Sequence, residues 1–174
     1  MTPAFLRYAI VLIAAAGMSV LSAPVGTFGQ EHECPVPERF YTSEPLLTKT
    51  VKALTGGQEV VIAVLGGAST VGLAAGGPAL AWPARLSSVL AARFPSARIK
   101  VVNLAVARQT AKGAAERLVR DVLSLKPTLV IWETGTMEAV RGIDVDDFRD
   151  TVQAGLDELR AAGIEVVLMN AQFS

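Results

Sequence analysis

The chain has 174 residues, with 16 basic and 16 acidic side chains and a hydrophobic fraction of 51%. This length suits one domain with a single sizeable core. Because the charges balance and no basic stripe is present, nothing in the sequence favours nucleic acid as a partner.

The N-terminal segment has the pattern of an export signal. Arg7 precedes an apolar run over residues 8–21, and small residues follow that run. A basic start, a short apolar run and a small-residue exit are typical of a secretory signal. The run is shorter than the roughly 20 residues of a spanning helix. We therefore expect residues 1–29 to form a signal peptide, with a membrane anchor through residues 8–21 as the alternative, and the protein to be periplasmic or extracellular.

A polar linker is predicted over residues 30–42, where two prolines prevent regular structure. It contains the only histidine, His32, and the only cysteine, Cys34. One cysteine cannot form a disulfide within the chain, and His32 and Cys34 have no neighbouring cluster of metal ligands. We expect no metal site, and a folded domain over residues 43–174.

Helical and strand patterns alternate along this domain. A helix over residues 43–57 begins at the cap-like Ser43, and a continuous β-branched run over residues 59–65 predicts a strand buried on both faces. The later predicted segments, in chain order, are a helix over 81–94, a strand over 98–104, a helix over 110–125, a strand over 128–133, a loop over 134–145, a helix over 146–163 and a strand over 164–170.

This alternation predicts an α/β fold, with a parallel sheet and helices on both of its faces. In such sheets the ligand site lies beyond the carboxyl ends of the strands, where the strand order reverses. Three loops meet that description, over residues 66–72, 104–110 and 133–140. Gly67 and Gly72 have the spacing of a phosphate-binding loop, but the lysine and hydroxyl residues of that motif do not follow. We therefore expect no nucleotide and no cofactor.

The three loops resemble the motifs of the SGNH (GDSL-type) hydrolases. "GGASTVG" stands where the family has Gly-Asp-Ser-Leu-Ser-x-Gly or a small-residue variant, and "NLAVARQTA" begins at Asn103 after the second strand. "VIWETGTMEAV" stands where the family shows Gly-Thr-Asn-Asp. The resemblance implies a three-layer flavodoxin-like sheet and ester hydrolysis by a serine, a histidine base and an oxyanion hole. In the family, that hole uses the serine N–H, a glycine N–H of the second motif and an asparagine of the third.

The first motif has an alanine at the family's nucleophile position. Counting from either end of the motif gives Ala68, and Ser69 occupies the next position. Reaction geometry tolerates displacements on the order of 1 Å, so a shift of one residue is large. We expect Ser69 and Thr70 to cap the following helix or to bond the backbone of the turn. The alternative is that Gly66 and Gly67 let the loop re-register and present Ser69 as the nucleophile.

The other motif positions depart from the family as well. The second-motif glycine aligns with Arg108, and the third-motif asparagine aligns with Met137, which has no N–H to donate. Loss of one such donor costs about 3 kcal/mol of transition-state stabilisation in other enzymes. Gly135 keeps its family position, and Glu138 stands where aspartate is usual, in the expected role of a solvated loop acid. The sequence contains no Asp-x-x-His turn, which in the family follows a fifth strand.

Together these departures predict an exported SGNH hydrolase-like protein whose catalysis is impaired or lost. It would keep the crevice for an acylated small molecule, a cell-envelope carbohydrate or a partner protein. Arg108 would suit an anion or pair with Glu133 or Glu138.

Two alternatives stay open: an active esterase that uses Ser69 with Glu133, Glu138 or Asp144 as its base, and a truncated product without function. A sheet without its last strand would also leave an open edge, which favours pairing with a partner protein or a second copy.

Overall fold

Four parallel strands form the sheet of the computed structural model, which describes residues 47–169. The strands are β1 (Glu59–Leu65), β2 (Arg98–Asn103), β3 (Leu129–Glu133) and β4 (Glu165–Met169). Their order is β2-β1-β3-β4, and each neighbouring pair is parallel. All four lie where the sequence predicts strands. The order reverses between β1 and β3, and that reversal is where an α/β sheet opens a crevice.

β1 occupies the centre of the sheet because its sequence can be buried on both faces. Ala63 and Leu65 belong to one hydrophobic cluster, whereas Ile62 and Val64 belong to a second cluster on the opposite face. All four are at most 3% exposed. A continuous apolar run is what a central parallel strand requires, since neither of its faces meets water.

Helices cover both faces of this sheet. They are α1 (Thr48–Thr55), α2 (Ala68–Val71), α3 (Trp82–Arg93), α4 (Ala111–Ala115), α5 (Thr136–Arg141) and α6 (Val145–Ala161). Ala114 of α4 and Leu159 of α6 pack in the cluster of Leu65, and Ala53 of α1 and Leu90 of α3 pack in the cluster of Ile62. The predicted three-layer α/β fold is confirmed, and its strand order is that of the first four strands of a flavodoxin-like sheet.

The helix predicted over residues 110–125 is wrong in its second half. After α4 the chain forms a π-helical turn (Leu118–Val122) and a 3-10 turn (Leu123–Leu125). In a π-helical turn the hydrogen bond spans five residues instead of four. Leu118 and Val122, the first and last residues of this turn, are both fully buried.

The loop predicted over residues 134–145 is also wrong, because it contains α5. This helix runs for six residues, which is too short for an apolar period to show in the sequence. Gly135 precedes it with φ 102°, and Gly142 follows it with φ 62°. The two left-handed glycines bound the helix on both sides.

The predicted signal or anchor over residues 1–29 and the linker over residues 30–42 lie outside the described residues. Those expectations, the domain boundary at residue 43, the export and the pairing at an open sheet edge stay predictions. Within residues 47–169, no helix has the length and apolar character needed to cross a bilayer.

Candidate functional site

Three loops meet at the carboxyl edge of the sheet, and we call the space between them the crevice. The first loop holds residues 66–72, the second 104–110 and the third 133–140. The Val106 N–H donates to the Gly66 carbonyl at 3.0 Å. The structure thus brings the first two predicted loops into direct contact.

Asn103, at the end of β2, fixes the first two loops with both ends of its side-chain amide. Its Nδ2 donates to the Thr70 carbonyl at 2.8 Å, and its Oδ1 accepts from the Ala105 N–H at 3.0 Å. A primary amide can donate and accept at once, which makes it suited to joining two backbone segments. Asn103 is one of the family-motif positions predicted from the sequence, and in the structure its side chain positions the first two loops.

A chain of side-chain hydrogen bonds joins the first loop to the end of β3, and we call it the Glu133 clamp. Ser69 Oγ donates to Glu133 Oε1 at 2.7 Å, and Thr70 Oγ donates to Glu133 Oε2. Trp82 Nε1 in turn donates to Thr70 Oγ at 3.1 Å. Thr70 is fully buried, whereas Ser69 is exposed.

The Glu133 clamp corrects the expectation that Ser69 and Thr70 cap a helix or bond the turn. The residue before α2 is Gly67, and no side chain caps that helix. Both hydroxyls donate to Glu133 instead. Glu133 ends β3, the strand next to β1, and α2 begins just after β1, so the carboxylate and the two hydroxyls lie on either side of the strand-order reversal. Ser69 therefore has a proton acceptor within hydrogen-bond reach, a pairing that motif counting alone did not reveal.

Gly66 is needed for the Glu133 clamp to close. A Cβ atom at this position would lie 2.7 Å from Glu133 Oε2 and 2.7 Å from the Thr70 Cβ. Because such distances are far inside van der Waals contact, any side chain here would displace the carboxylate or the threonine.

Glu138 is buried, which corrects its predicted role as a solvated loop acid. Its side chain is 5% exposed, and its two oxygens accept from the Ala111 N–H at 2.5 Å and the Gly135 N–H at 3.1 Å. The carboxylate lies inside because α5 turns it toward the start of α4, where free backbone N–H groups need an acceptor. Glu138 thus ties the third loop to the segment that follows the second.

Arg108 has a backbone φ of 63°, in the left-handed region that favours glycine. Its carbonyl accepts from Arg141 Nη2 at 3.1 Å. The ion pair proposed between Arg108 and Glu133 or Glu138 is absent from the ion pairs of residues 47–169. Both carboxylates bond other donors.

A small cavity of about 100 Å³ lies between the first and third loops. Ala68, Ser69 and Gln109 line it together with Glu133 and Met137. A water molecule takes about 30 Å³, so there is room for about three waters or one short acyl group. Apolar side chains therefore line the cavity at the two positions where the family has its nucleophile and its asparagine.

The other candidate acids lie apart from Ser69. Asp144 caps α6, where it accepts from the N–H groups of Asp146 and Asp147. Among the described residues only Glu133 bonds the Ser69 hydroxyl. Within the same range no cluster of histidine, cysteine and acidic side chains could hold a metal ion.

Comparisons with known proteins agree with the motif resemblance. Residues 33–174 match the sequence profile of the non-GDSL lipase-like family, which covers most of the chain. A comparison with curated protein sequences gave no match.

Solved structures, two of them named as esterases, share the fold. The structure named TesA is 26% identical over 65% of this chain and 61% of its own, with a TM-score of 0.58. The psychrotrophic esterase EstA from Pseudoalteromonas sp. is 25% identical over 63% of this chain and 58% of its own, with a TM-score of 0.55. A two-domain esterase (CEX) active on acetylated mannans is 22% identical over 73% of this chain and 34% of its own, with a TM-score of 0.65, and shows the fold alone.

The chain thus spans about three fifths of the length of TesA and EstA, as the coverages of 61% and 58% show. The family match, the strand order and the three loops lead to one assignment. The chain belongs to the non-GDSL lipase-like family, within the SGNH/GDSL-type hydrolases.

Proposed function

We propose that the protein binds a small O-acyl group in the crevice and does not carry out the ester hydrolysis of its relatives. The observation that carries this proposal is the lining of the 100 Å³ cavity, where Ala68 and Met137 stand at the family's catalytic positions. The cavity has room for a short acyl group. Ala68 and Met137 are apolar where the family has its nucleophile and its asparagine, and Ser69 and Glu133 line the cavity beside them.

The loss of donors argues against efficient acyl transfer. Met137 cannot donate a hydrogen bond to a developing oxyanion, and removal of one such donor costs about 3 kcal/mol in other enzymes. Ala68 provides no nucleophile at all. The same two apolar side chains are well suited to the methyl or ethyl group of an ester, because burying apolar surface favours binding.

The proposed ligand is an acylated carbohydrate of the cell envelope. We also propose that the protein is exported. The cavity suits the acyl group by volume. The two-domain esterase among the structural relatives is active on acetylated mannans, which makes acetylated sugars a reasonable first class to test.

A binding experiment tests this proposal directly. Saturation-transfer NMR with glycerol triacetate should show transfer to the acetyl methyl groups. Ala68→Leu extends a side chain into the cavity and should abolish that transfer, whereas Ser124→Ala, an exposed position before β3, should leave it unchanged. Equal transfer to the native chain and to Ala68→Leu would refute binding in the cavity.

A second function is favoured by one observation, the hydrogen bond of 2.7 Å from Ser69 Oγ to Glu133 Oε1. Ser69 would be the nucleophile, Glu133 its base, and the Thr70 hydroxyl the group that orients the base. In this alternative Glu133 takes the hydroxyl proton while Ser69 Oγ attacks the acyl carbon. The ester C–O bond then breaks, the alcohol leaves with that proton, and water hydrolyses the acyl-serine to release the acid.

Hydrolysis of 4-nitrophenyl acetate separates the two functions. If the crevice only binds, the native chain, Ser69→Ala and Ser124→Ala hydrolyse the ester at the same rate. If Ser69 is the nucleophile, activity disappears in Ser69→Ala and in Glu133→Gln, and is retained in Ser124→Ala. That second pattern would overturn the binding proposal in favour of an esterase.

A further inference from the structure

A second, larger cavity lies beside the crevice, between α4, α5 and the first turns of α6, and we call it the helical cleft. Its volume is about 640 Å³. Small-molecule sites commonly measure about 300–1,000 Å³, so the helical cleft has the size of a ligand site. None of the family motifs falls on α6, which supplies one of its walls.

The helical cleft combines charged and apolar side chains. Lys112 and Arg141 bring positive charge, and Asp147 and Asp150 bring negative charge. Of these four, only Asp150 takes part in an ion pair within residues 47–169, with Arg149. Ile143, which is 37% exposed, and the half-buried Phe148 add apolar surface beside them.

One wall separates the helical cleft from the crevice. Gln109 and Met137 line the crevice cavity, and the residues that follow them, Thr110 and Glu138, line the helical cleft. Glu138 holds this wall together, because both of its oxygens are occupied by backbone N–H groups. Glu138 is therefore a positioning residue of this wall.

We propose that the helical cleft binds a pyranose ring. This inference rests on the proposed function, and it assigns the sugar part of the proposed ligand to the helical cleft. A sugar hydroxyl both donates and accepts, so it can bond to Lys112 or Arg141 and to Asp147. The apolar face of the ring fits against Phe148 and Ile143. An anion would meet Asp147 and Asp150, and a purely apolar ligand would take Lys112, Arg141 and Asp147 out of water without an ion-pair partner.

The test uses the full chain and two probes, methyl α-mannopyranoside and its 6-O-acetyl ester, in amide-detected NMR titrations. The unacetylated mannoside should shift the signals of α4, α5 and the start of α6. Lys112→Ala and Asp147→Ala should each raise its Kd by about 10-fold or more, the effect of one lost hydrogen bond to a charged group. The matched controls Lys52→Ala and Asp157→Ala, exposed residues outside the helical cleft, should not change the Kd.

The two probes distinguish failure of this inference from failure of the proposed function. Ala68→Leu should weaken the acetyl ester and leave the unacetylated mannoside unaffected. If the ester binds through the crevice but the mannoside shifts no helical-cleft residue, the sugar site is refuted and the acyl site stands. If the mannoside binds as predicted but Ala68→Leu has no effect on the ester, the acyl site is refuted and the sugar site stands. Tighter binding of free alanine than of the mannoside would assign the helical cleft to zwitterions and overturn the inference.

Discussion

Two glutamates of the third loop, Glu133 and Glu138, have different partners. Glu138 is 5% exposed and accepts only from backbone N–H groups, those of Ala111 and Gly135. Glu133 is partly exposed and accepts from the hydroxyls of Ser69 and Thr70. Backbone donors keep their direction as long as the fold persists, whereas a hydroxyl rotates. Glu138 is therefore fixed as part of the architecture, and Glu133 is the carboxylate that can exchange a partner for a ligand.

The largest expected effect comes from removing the backbone-bonded carboxylate. Glu138→Ala leaves the N–H groups of Ala111 and Gly135 without their acceptor, and we expect the free energy of unfolding to fall by about 3–5 kcal/mol. Glu138→Gln retains one acceptor oxygen and should cost about half as much. Urea denaturation measures both variants. A loss under about 1 kcal/mol for Glu138→Ala would mean that water replaces the carboxylate and that the site is not buried in solution.

Removing the hydroxyl-bonded carboxylate should cost less. Glu133→Ala deprives the buried Thr70 hydroxyl of its acceptor, for an expected loss of about 2 kcal/mol in urea denaturation. In the double variant Glu133→Ala/Thr70→Val both partners are removed, and the loss should be smaller than the sum of the two single losses. Additive losses would show that Glu133 and Thr70 do not interact, and would contradict the Glu133 clamp.

Glu165, at the start of β4, extends the comparison because it accepts from backbone N–H groups, as Glu138 does, and from hydroxyls, as Glu133 does. Burial raises its pKa, but hydrogen bonds from the side chain and N–H of Thr50, from the Lys49 N–H and from the Thr48 hydroxyl outweigh burial and hold the pKa below the usual glutamate value. A lowered folded-state pKa stabilises the protein above the unfolded-state pKa, near 4.3, and this stabilisation is lost as the pH falls through the folded-state pKa.

The pH dependence of unfolding checks this sign. The native chain should lose more stability than Glu165→Gln as the pH falls below about 4.3, by about 1 kcal/mol or less because the group is partly exposed. Above that pH the difference between the two proteins should be constant. A difference that grows with rising pH would show that Glu165 has a raised pKa.

Ser69→Ala should have the smallest effect on stability. The hydroxyl is exposed and Thr70 keeps Glu133 in place, so we expect a change within about 0.5 kcal/mol in the same urea denaturation. A loss above about 1 kcal/mol would make Ser69 a structural part of the Glu133 clamp rather than a group that is free to meet a ligand.

Much of the fold could be predicted because the strands carry strong local signals. The run from Glu59 to Leu65 is β-branched and apolar throughout, and it forms the central strand that this pattern predicts. The turn after β1 and the motif order then located the crevice. What local patterns could not supply were contacts between distant segments, such as Thr70 with Glu133 and Ala111 with Glu138.

The burial of Glu138 illustrates that limit. A glutamate in a predicted loop is expected to be solvated, and local sequence does not show that the Ala111 N–H at the start of α4 joins the Gly135 N–H as a donor that makes burial favourable. In the same way, the short α5 depends on the Glu138 hydrogen bond to Gly135 more than on its own residue pattern.

The bond from Trp82 to Thr70 gives the crevice an optical reporter of its own. The chain has two tryptophans, and the other, Trp132, is 1% exposed within the core. A molecule that pulls Glu133 away from Thr70 would alter the surroundings of the Trp82 indole N–H, whereas the Trp132 ring packs beside Gly155 of α6. The emission spectrum of the unlabelled protein would then register occupancy of the crevice, with Trp132 as an internal reference.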